Sequence, residues 1–493
     1  MGEVIPFYSI RRVDLFFFSN EILGIIEGKR RGEFSMGGWK PRHIKLIPTK
    51  EKLTDSVGLG TMVEVFDLSS LSKDFRECLP KRSSPRSHGS YRLGLIQISS
   101  FLYGHDTLDD LEEFQDDPAL EAIMRGETVA PRTMGDFLRD FEEGHLSKLN
   151  GYLAQMSYRI RRQMESVLPL EHKPSPTPHL SIDSTSHVQS GEKMEGLAWN
   201  YKEEWCLDSQ VIFDELGLNY GMQLRSGSTK SGVGARELIE RAFSPWGKED
   251  EKYLSADAAY CNQEVIRTCL ENRIHFTLTA NEATTGWQSG ISAITSWSPW
   301  KYSEEDIEKA KSKGRVVPKV ELGSMLWTPG WAENIRFLIV VKRTWKEAPQ
   351  GEVFGGFWDH YGVVAGMPMQ SMTLQQVIEH HNRRGNAENF IREEKYAYDL
   401  KHFPCLKLGA SHAYGLLAMV AHNILRWCAI IEKPEKPHFS KKLRRRFIYV
   451  PGKVVEHARS LCIKIPERFF KEVNRLREGW QLPLHPAPAW ATG

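Results

Sequence analysis

The sequence predicts an α/β fold built on a mixed sheet, interrupted by a β-rich insertion. An α-helical N-terminal domain precedes it and a helical C-terminal region follows. Three observations carry this expectation. Short β-rich runs alternate with amphipathic helical stretches from His179 to Ala280, the pattern of an α/β domain. Seven of the 14 tryptophans, Trp287 to Trp358, crowd into the segment that follows. The pattern on either side of these segments is helical. At 493 residues the chain exceeds one ordinary core, and two to four domains are expected.

The first 85 or so residues carry weak signals: Val13 to Ile26 fits strand or helix, and Gly37-Gly38 and Lys40-Pro41 mark a turn. Arg82 to Gly89 is a polar connector. Helices are expected over Arg92 to Tyr103, from Pro118 to a stop at Gly126, from Pro131, and over Ser147 to Leu168. Short helices with tight joins fit a helix-turn-helix-like module. Asp136, Asp140, Glu142 and Glu143 would repel phosphates, so a plain helical bundle fits equally well. Lys173 to Pro178 (KPSPTP) is the clearest linker.

Beyond the linker, strands are expected at His179 to Thr185, Leu207 to Asp214, Tyr220 to Ser226, Lys252 to Asp257 and Ile274 to Ala280. Helices are expected at Ser231 to Phe243 and Cys261 to Asn272. In the tryptophan-rich segment, Arg336 to Lys342 and Tyr361 to Ala365 read as strands and Tyr302 to Ser312 as a charged helix. Thr373 to Lys395 reads as one long helix. Ala410 to Ile431 is a long apolar one; His422, Asn423 and Arg426 within it favour a buried or amphipathic helix over a membrane span. Ala487 to Gly493 is expected to fray.

Composition excludes several classes. Hydrophobic content of 41% and charged content of 26% are those of a soluble globular protein, and the net charge of +2 rules out a global polybasic character. Basic clusters are local: Lys29 to Arg31, Arg159 with Arg161 and Arg162, and Lys441 to Arg446. Each alone reads as a solvated face, but together they fit a long polyanion. The seven cysteines are scattered without a C-x-x-C, against a disulfide framework or a zinc ribbon and in favour of a reducing cytosol. Leu15 to Phe18 is too short for a signal-peptide core. No P-loop or serine-nucleophile elbow is present.

The chemistry-bearing residues lie on the 373–395 helix. His381, Arg384, Glu388 and Lys395 follow at steps of +3, +4 and +7, close to one helical stripe. This puts one carboxylate between two cations: an acid to hold a metal, cations to hold phosphate. An exposed charged helix would give the same spacing by accident. Gly385 within the helix costs about 1 kcal/mol and points to close packing or approach of a ligand. Asp183 and Asp257 sit at or near strand ends. Singly, they fit an Asx turn and a helix cap. Together with Glu388 they can converge at one sheet edge. Mg²⁺ takes such hard oxygen ligands, using one or two carboxylates plus substrate phosphate. Two ions about 3.5–4 Å apart serve in-line phosphoryl displacement.

These passages resemble the DDE transposases of bacterial insertion sequences, with a ribonuclease-H-like core. More narrowly, they resemble the superfamily founded on insertion sequence four and, within it, the thirteen-eighty group. The resemblance rests on IDST (Ile182 to Thr185) followed by EGLAWNYK (Glu195 to Lys202), on LRSGSTKSGVGARELIERAF (Leu224 to Phe243) leading to Asp257, and on the helix signature. The superfamily spaces Tyr, Arg, Glu and Lys as His381, Arg384, Glu388 and Lys395 are spaced here, with His in place of Tyr. GHDTLDDLEEFQDDPAL (Gly104 to Leu120) is a weaker match.

The resemblance implies Asp183, Asp257 and Glu388 as a catalytic, metal-binding triad for two Mg²⁺ ions, with Mn²⁺ able to substitute. It implies Arg384 and Lys395, with His381 at the tyrosine position, as contacts to transposon-end phosphates. Trp358 or Tyr361 would receive a flipped base, although Trp358 also fits an ordinary sheet residue. Arg161, Arg162, Arg444 and Arg445 are expected DNA-backbone contacts. The expected layout is a DNA-end-binding domain at 1–172, the core at 179–281, the insertion at 282–369, the returning helix at 370–400, and a dimerisation or DNA-contacting region at 401–493. The expected activity is cut-and-paste transposition through a hairpin, by a homodimer acting on double-stranded DNA (terminal inverted repeats and target) in a bacterial cytoplasm, nucleoid-associated and without a membrane partner. The alternatives are a nuclease without strand joining and a non-catalytic DNA-binding derivative.

Overall fold

A computed structural model describes residues 46–82, 88–124, 126, 128–347, 355–366, 372–457 and 460–486. The basic cluster Lys29 to Arg31, the readings at Val13 to Ile26, at Gly37-Gly38 and at Lys40-Pro41, most of the 82–89 connector and the 487–493 terminus lie outside them.

A ten-stranded mixed sheet organises the chain. Its strands are β1 (His179–Val188), β2 (Ala198–Trp199), β3 (Trp205–Asp214), β4 (Asn219–Ser226), β5 (Tyr253–Ala256), β6 (His275–Thr279), β7 (Ser298–Pro299), β8 (Val320–Trp327), β9 (Phe337–Lys346) and β10 (Phe357–Ala365). The spatial order is β2-β3-β1-β5-β6-β10-β9-β8-β7, with β4 also on β3. β1, β5 and β6 run parallel; the other pairs are antiparallel. The half β4-β3-β1-β5-β6 is consistent with a ribonuclease-H-like core. The tryptophan-rich segment does not form a sheet of its own: β10 pairs with β6, so β10 to β7 extend the same sheet.

Long helices cover the sheet. α1 (Glu143–Val167) and α4 (Leu408–Glu432) pack on β4 and on each other. They supply what the backbone of this strand lacks. Asn150 on α1 exchanges two hydrogen bonds with the Met222 backbone, at 2.8 and 2.9 Å. Asn423 on α4 does the same for Asn219, at 2.8 and 2.9 Å. Unpaired strand groups invite foreign strands; buried Asn side chains close them here. α4 is long and apolar enough to cross a membrane, but 94% of its most apolar window is buried in the chain. The linker does not divide the packing: one apolar core runs from Val57 to Trp480, and residues 51–493 cluster as one compact unit.

The expected single helix at 373–395 is two, α2 (Leu374–Asn382) and α3 (Gly385–Ala397). Thr373 and Gln376 cap α2 reciprocally. Between the helices the backbone stays right-handed but tightens to i→i−3 bonds: Arg384 N–H to His381 O at 3.0 Å and Ala387 N–H to Arg384 O at 2.9 Å. That is a 3₁₀ turn inside a helical run. Gly385 opens α3, and a Cβ there would meet nothing within 4 Å, so close packing does not explain it.

Candidate active site

β1 and β5 are parallel neighbours with Ile182 opposite Ala256. The next residue on each is an acid, so Asp183 and Asp257 sit side by side on strands roughly 4.8 Å apart. Each uses one oxygen locally. Asp183 Oδ1 accepts the Ser184 N–H at 2.8 Å, and Asp257 Oδ1 accepts the Ala259 N–H at 3.0 Å, capping a short 3₁₀ turn. Asp257 thus caps the turn that follows it, while the Asp183 bond reaches only the next residue and is not an Asx turn. Asp183 Oδ2 accepts from Arg384 at 3.1 Å, and the other Arg384 nitrogen lies 3.7 Å from Glu388. Glu388 stands in the first turn of α3 with its side chain 60% exposed.

Burial pushes the Asp183 carboxyl up to about 6; the negative charge of Asp257 adds to the rise, Arg384 opposes it, and Glu388 contributes a further, smaller rise. Asp257 and Glu388 thus both act on Asp183, with the guanidinium opposing them. Among the described residues, no three His, Cys, Asp or Glu side chains close on one point as a finished metal cage. A Mg²⁺ site needs only one or two carboxylates beside substrate phosphate. A buried aspartate raised by a neighbouring aspartate fits a divalent cation, which relieves that repulsion.

His381 is 1% exposed and has no ring nitrogen to spare. Burial holds its pKa down at about 4, so the ring is neutral. Nδ1–H points between the Thr277 carbonyl and hydroxyl oxygens, at 3.2 and 3.1 Å, leaving Nε2 to accept the Thr279 hydroxyl at 3.1 Å. The Tyr361 hydroxyl then donates to Thr279 Oγ1 at 3.0 Å. On the other side Thr277, Ser255 and His179 continue the chain at 2.8 and 2.6 Å. His381 is the hub of a buried polar relay, not a group presented to a ligand. Sequence reasoning missed this relay, although the two threonines two apart in IHFTLTA place both hydroxyls on one strand face.

The remaining expected contacts divide. Tyr361 is half-buried and feels both Arg384 and Asp257. Trp358, three residues away on β10, lies on the opposite sheet face. One of its faces is covered by the Arg343 guanidinium at 4.3 Å, and Trp345 packs against it at 5.3 Å. Lys395 Nζ donates to the Ser186 carbonyl at 2.6 Å, three residues along β1 from Asp183. Arg162 and Arg445 are exposed.

Two expected contacts do not stand. Arg161 is 0% exposed; its guanidinium is spent on Asp214 at 3.2 Å, Glu215 at 2.7 Å and the Ser175 carbonyl. Arg444 is buried and donates to the Leu102 and Phe101 carbonyls at 3.1 and 2.7 Å, closing the C-terminal end of the Ser90–Tyr103 helix. A cation committed to buried acceptors cannot also reach a DNA backbone.

A hard carboxylate within β1, a second just past the end of β5, a third on a returning helix and a guanidinium between them suit phosphoryl transfer. The chain matches the family model described as "Transposase DDE domain group 1" over residues 39–476 and belongs to that family of DDE transposases. Membership implies phosphoryl transfer on DNA and use of divalent metal ions. A search of curated proteins finds no match.

Proposed function

We propose that this transposase works by cut-and-paste through a hairpin, as in the insertion-sequence-four superfamily and its thirteen-eighty group. Asp183, Asp257 and Glu388 form the catalytic triad. In this reading residues 282–369 are an insertion in a ribonuclease-H-like core, residues 1–172 bind the element's ends, and a homodimer pairs two ends in the bacterial cytoplasm. The observation that carries the reading is the placing of Asp183 beside Asp257 by strand register, with Arg384 joining Asp183 to Glu388.

Water attacks a phosphodiester at the element's end and frees a 3′-hydroxyl. That hydroxyl attacks the opposite strand, giving a hairpin on the element. A second water reopens the hairpin, and the 3′-hydroxyl joins target DNA. Each step exchanges one P–O bond for another. Mg²⁺ ions held by Asp183, Asp257 and Glu388 would polarise the scissile phosphate and ease deprotonation of the attacking hydroxyl. Arg384, released from Asp183, and Lys395 serve as cations for end phosphates; Arg162 and Arg445 meet flanking backbone.

The test is Glu388→Gln on DNA carrying the inverted repeats that bracket this reading frame. Binding should persist while strand cleavage falls about 10³-fold or more, the scale of losing one member of a cooperating set. Undiminished cleavage would sink the triad, and nicks that never yield hairpin or joined product would sink the cut-and-paste route.

A further inference from the structure

The EGLAWNYK stretch marks the family resemblance but has no part in the chemistry above. It forms β2 and the turn joining it to β3, where Trp199 pairs across the ladder with Trp205. Trp199 is 63% exposed and Tyr201 87% exposed. Two large rings left in water two residues apart could be incidental if the hairpin were loose, but this one is built tightly. Asn200 Oδ1 accepts the Lys202 and Glu204 N–H groups at 2.8 and 3.0 Å, and Glu203 takes the left-handed turn with φ 59°. The Trp205 indole, 5.5 Å from Trp199, donates to the Gly191 carbonyl at 2.8 Å. Gly227 seats against the hairpin so closely that a Cβ would fall 2.0 Å from the Cys206 carbonyl oxygen.

The hairpin is also tied to the candidate site. Glu204 accepts from the Ser186 hydroxyl and the Asn200 amide, at 2.7 and 2.8 Å, and the Ser186 carbonyl holds Lys395. Ser186 lies three residues along β1 from Asp183, or about 10 Å. Trp199 pairs with Trp205, six residues along β3 from Val211, the partner of Asp183, so the rings stand about 20 Å along the sheet from the acid, a reach of about three to six nucleotides.

We infer that Trp199 and Tyr201 form a stacking platform for unpaired bases of the DNA strand leaving the acid site. The inference rests on the reading that Asp183 belongs to that site. Turn residues 200–204 carry Lys202 against Glu203 and Glu204, so the surface offers ring area rather than charge to a phosphate chain. Lys202 lies 5.4 Å above the Tyr201 ring. Aromatic platforms accept any base, because every base has a π-face.

The test uses full-length protein with three 12-nucleotide probes: oligothymidylate, an abasic strand with the same phosphates, and a strand with central 2-aminopurine. Trp199→Ala and Tyr201→Ala should each weaken oligothymidylate binding on the order of ten-fold, leave abasic binding unchanged and lose the 2-aminopurine quenching. Trp199→Phe should keep most of both signals. Neither ring is part of the core, so thermal melts should match wild type. Equal affinity of wild type and alanine variants for oligothymidylate, or equal losses on base-bearing and abasic strands, overturns the platform. Glu388→Gln distinguishes the two readings: cleavage retained by that variant removes the acid site whatever the rings do, while cleavage lost with the rings indifferent removes only the platform.

Discussion

Arg384 donates to Asp183 at 3.1 Å across 201 residues of sequence, tying the returning helix to the first strand of the sheet. Both side chains are largely shielded, at 18% and 16% exposure. The guanidinium offsets the repulsion that Asp257 exerts on Asp183. Arg384→Gln should therefore cost about 2 kcal/mol, the scale of a hydrogen bond to a charged group, read as a lower urea midpoint at neutral pH. Arg384→Lys should recover little, because one ammonium cannot serve Asp183 and Glu388 in a fork. Cleavage in both variants should fall further than stability does; a lysine variant with wild-type cleavage contradicts this.

His381 and Tyr361 should differ in what they contribute to stability, because one is the hub of the relay and the other its outer end. His381→Phe leaves the Thr277 and Thr279 groups without their ring partner in a buried site, costing about 1–3 kcal/mol. Tyr361→Phe removes one hydroxyl from the half-buried end of the relay and should cost less than about 1 kcal/mol. Parallel denaturant melts check the order. A Tyr361→Phe cost above that of His381→Phe would show that the relay is held from its outer end.

Period and punctuation made much of this fold legible. Alternation marked β1, β3 and β4, and Pro131 and Pro118 marked helix starts that the structure keeps. What periodicity could not show is which side of an element is covered. Arg161 and Arg444 look like members of basic runs, yet each faces inward to acceptors far away in sequence. The same blindness hid the role of His381, since its partners lie 102 and 104 residues upstream. Asp183 and Asp257 are legible as strand-borne acids, but β1 runs on to Val188 past Asp183, and their pairing depends on parallel register, which no local pattern encodes. The α2–α3 break was missed because a 3₁₀ turn keeps right-handed dihedrals and disturbs the stripe little.

The inward and outward arginines make opposite predictions. Arg161→Met strands the buried Asp214 carboxylate and should cost about 3–5 kcal/mol, with DNA affinity of the folded fraction unchanged. Arg445→Ala and Arg162→Ala should leave the melting temperature within about 2 °C, since exposed charges contribute little. Each should weaken DNA binding and lower the salt slope by about 1. Binding isotherms across a salt series measure both quantities. An unchanged slope for Arg445→Ala would remove it from the DNA interface.

Glu394 gives the pH dependence. It is 0% exposed, and neither of its carboxylate oxygens has a hydrogen-bond partner. Burial pushes its pKa from 4.5 to about 8, against the opposing charge of Lys395. The native chain therefore holds a proton that the unfolded chain releases at the ordinary carboxylate pKa. Between pH 4.5 and about 8 the folded state binds more protons, so this group's contribution to stability falls as pH rises through that window. Below the window both states are protonated and the contribution is flat. Glu394→Gln keeps the shape of the protonated acid and cannot ionise. The variant should match wild type near pH 4.5 and melt higher at pH 8, the gap widening steadily between them. Melting curves at half-unit pH steps measure it, and a constant gap across the window would mean that Glu394 is ionised and paired in the folded protein.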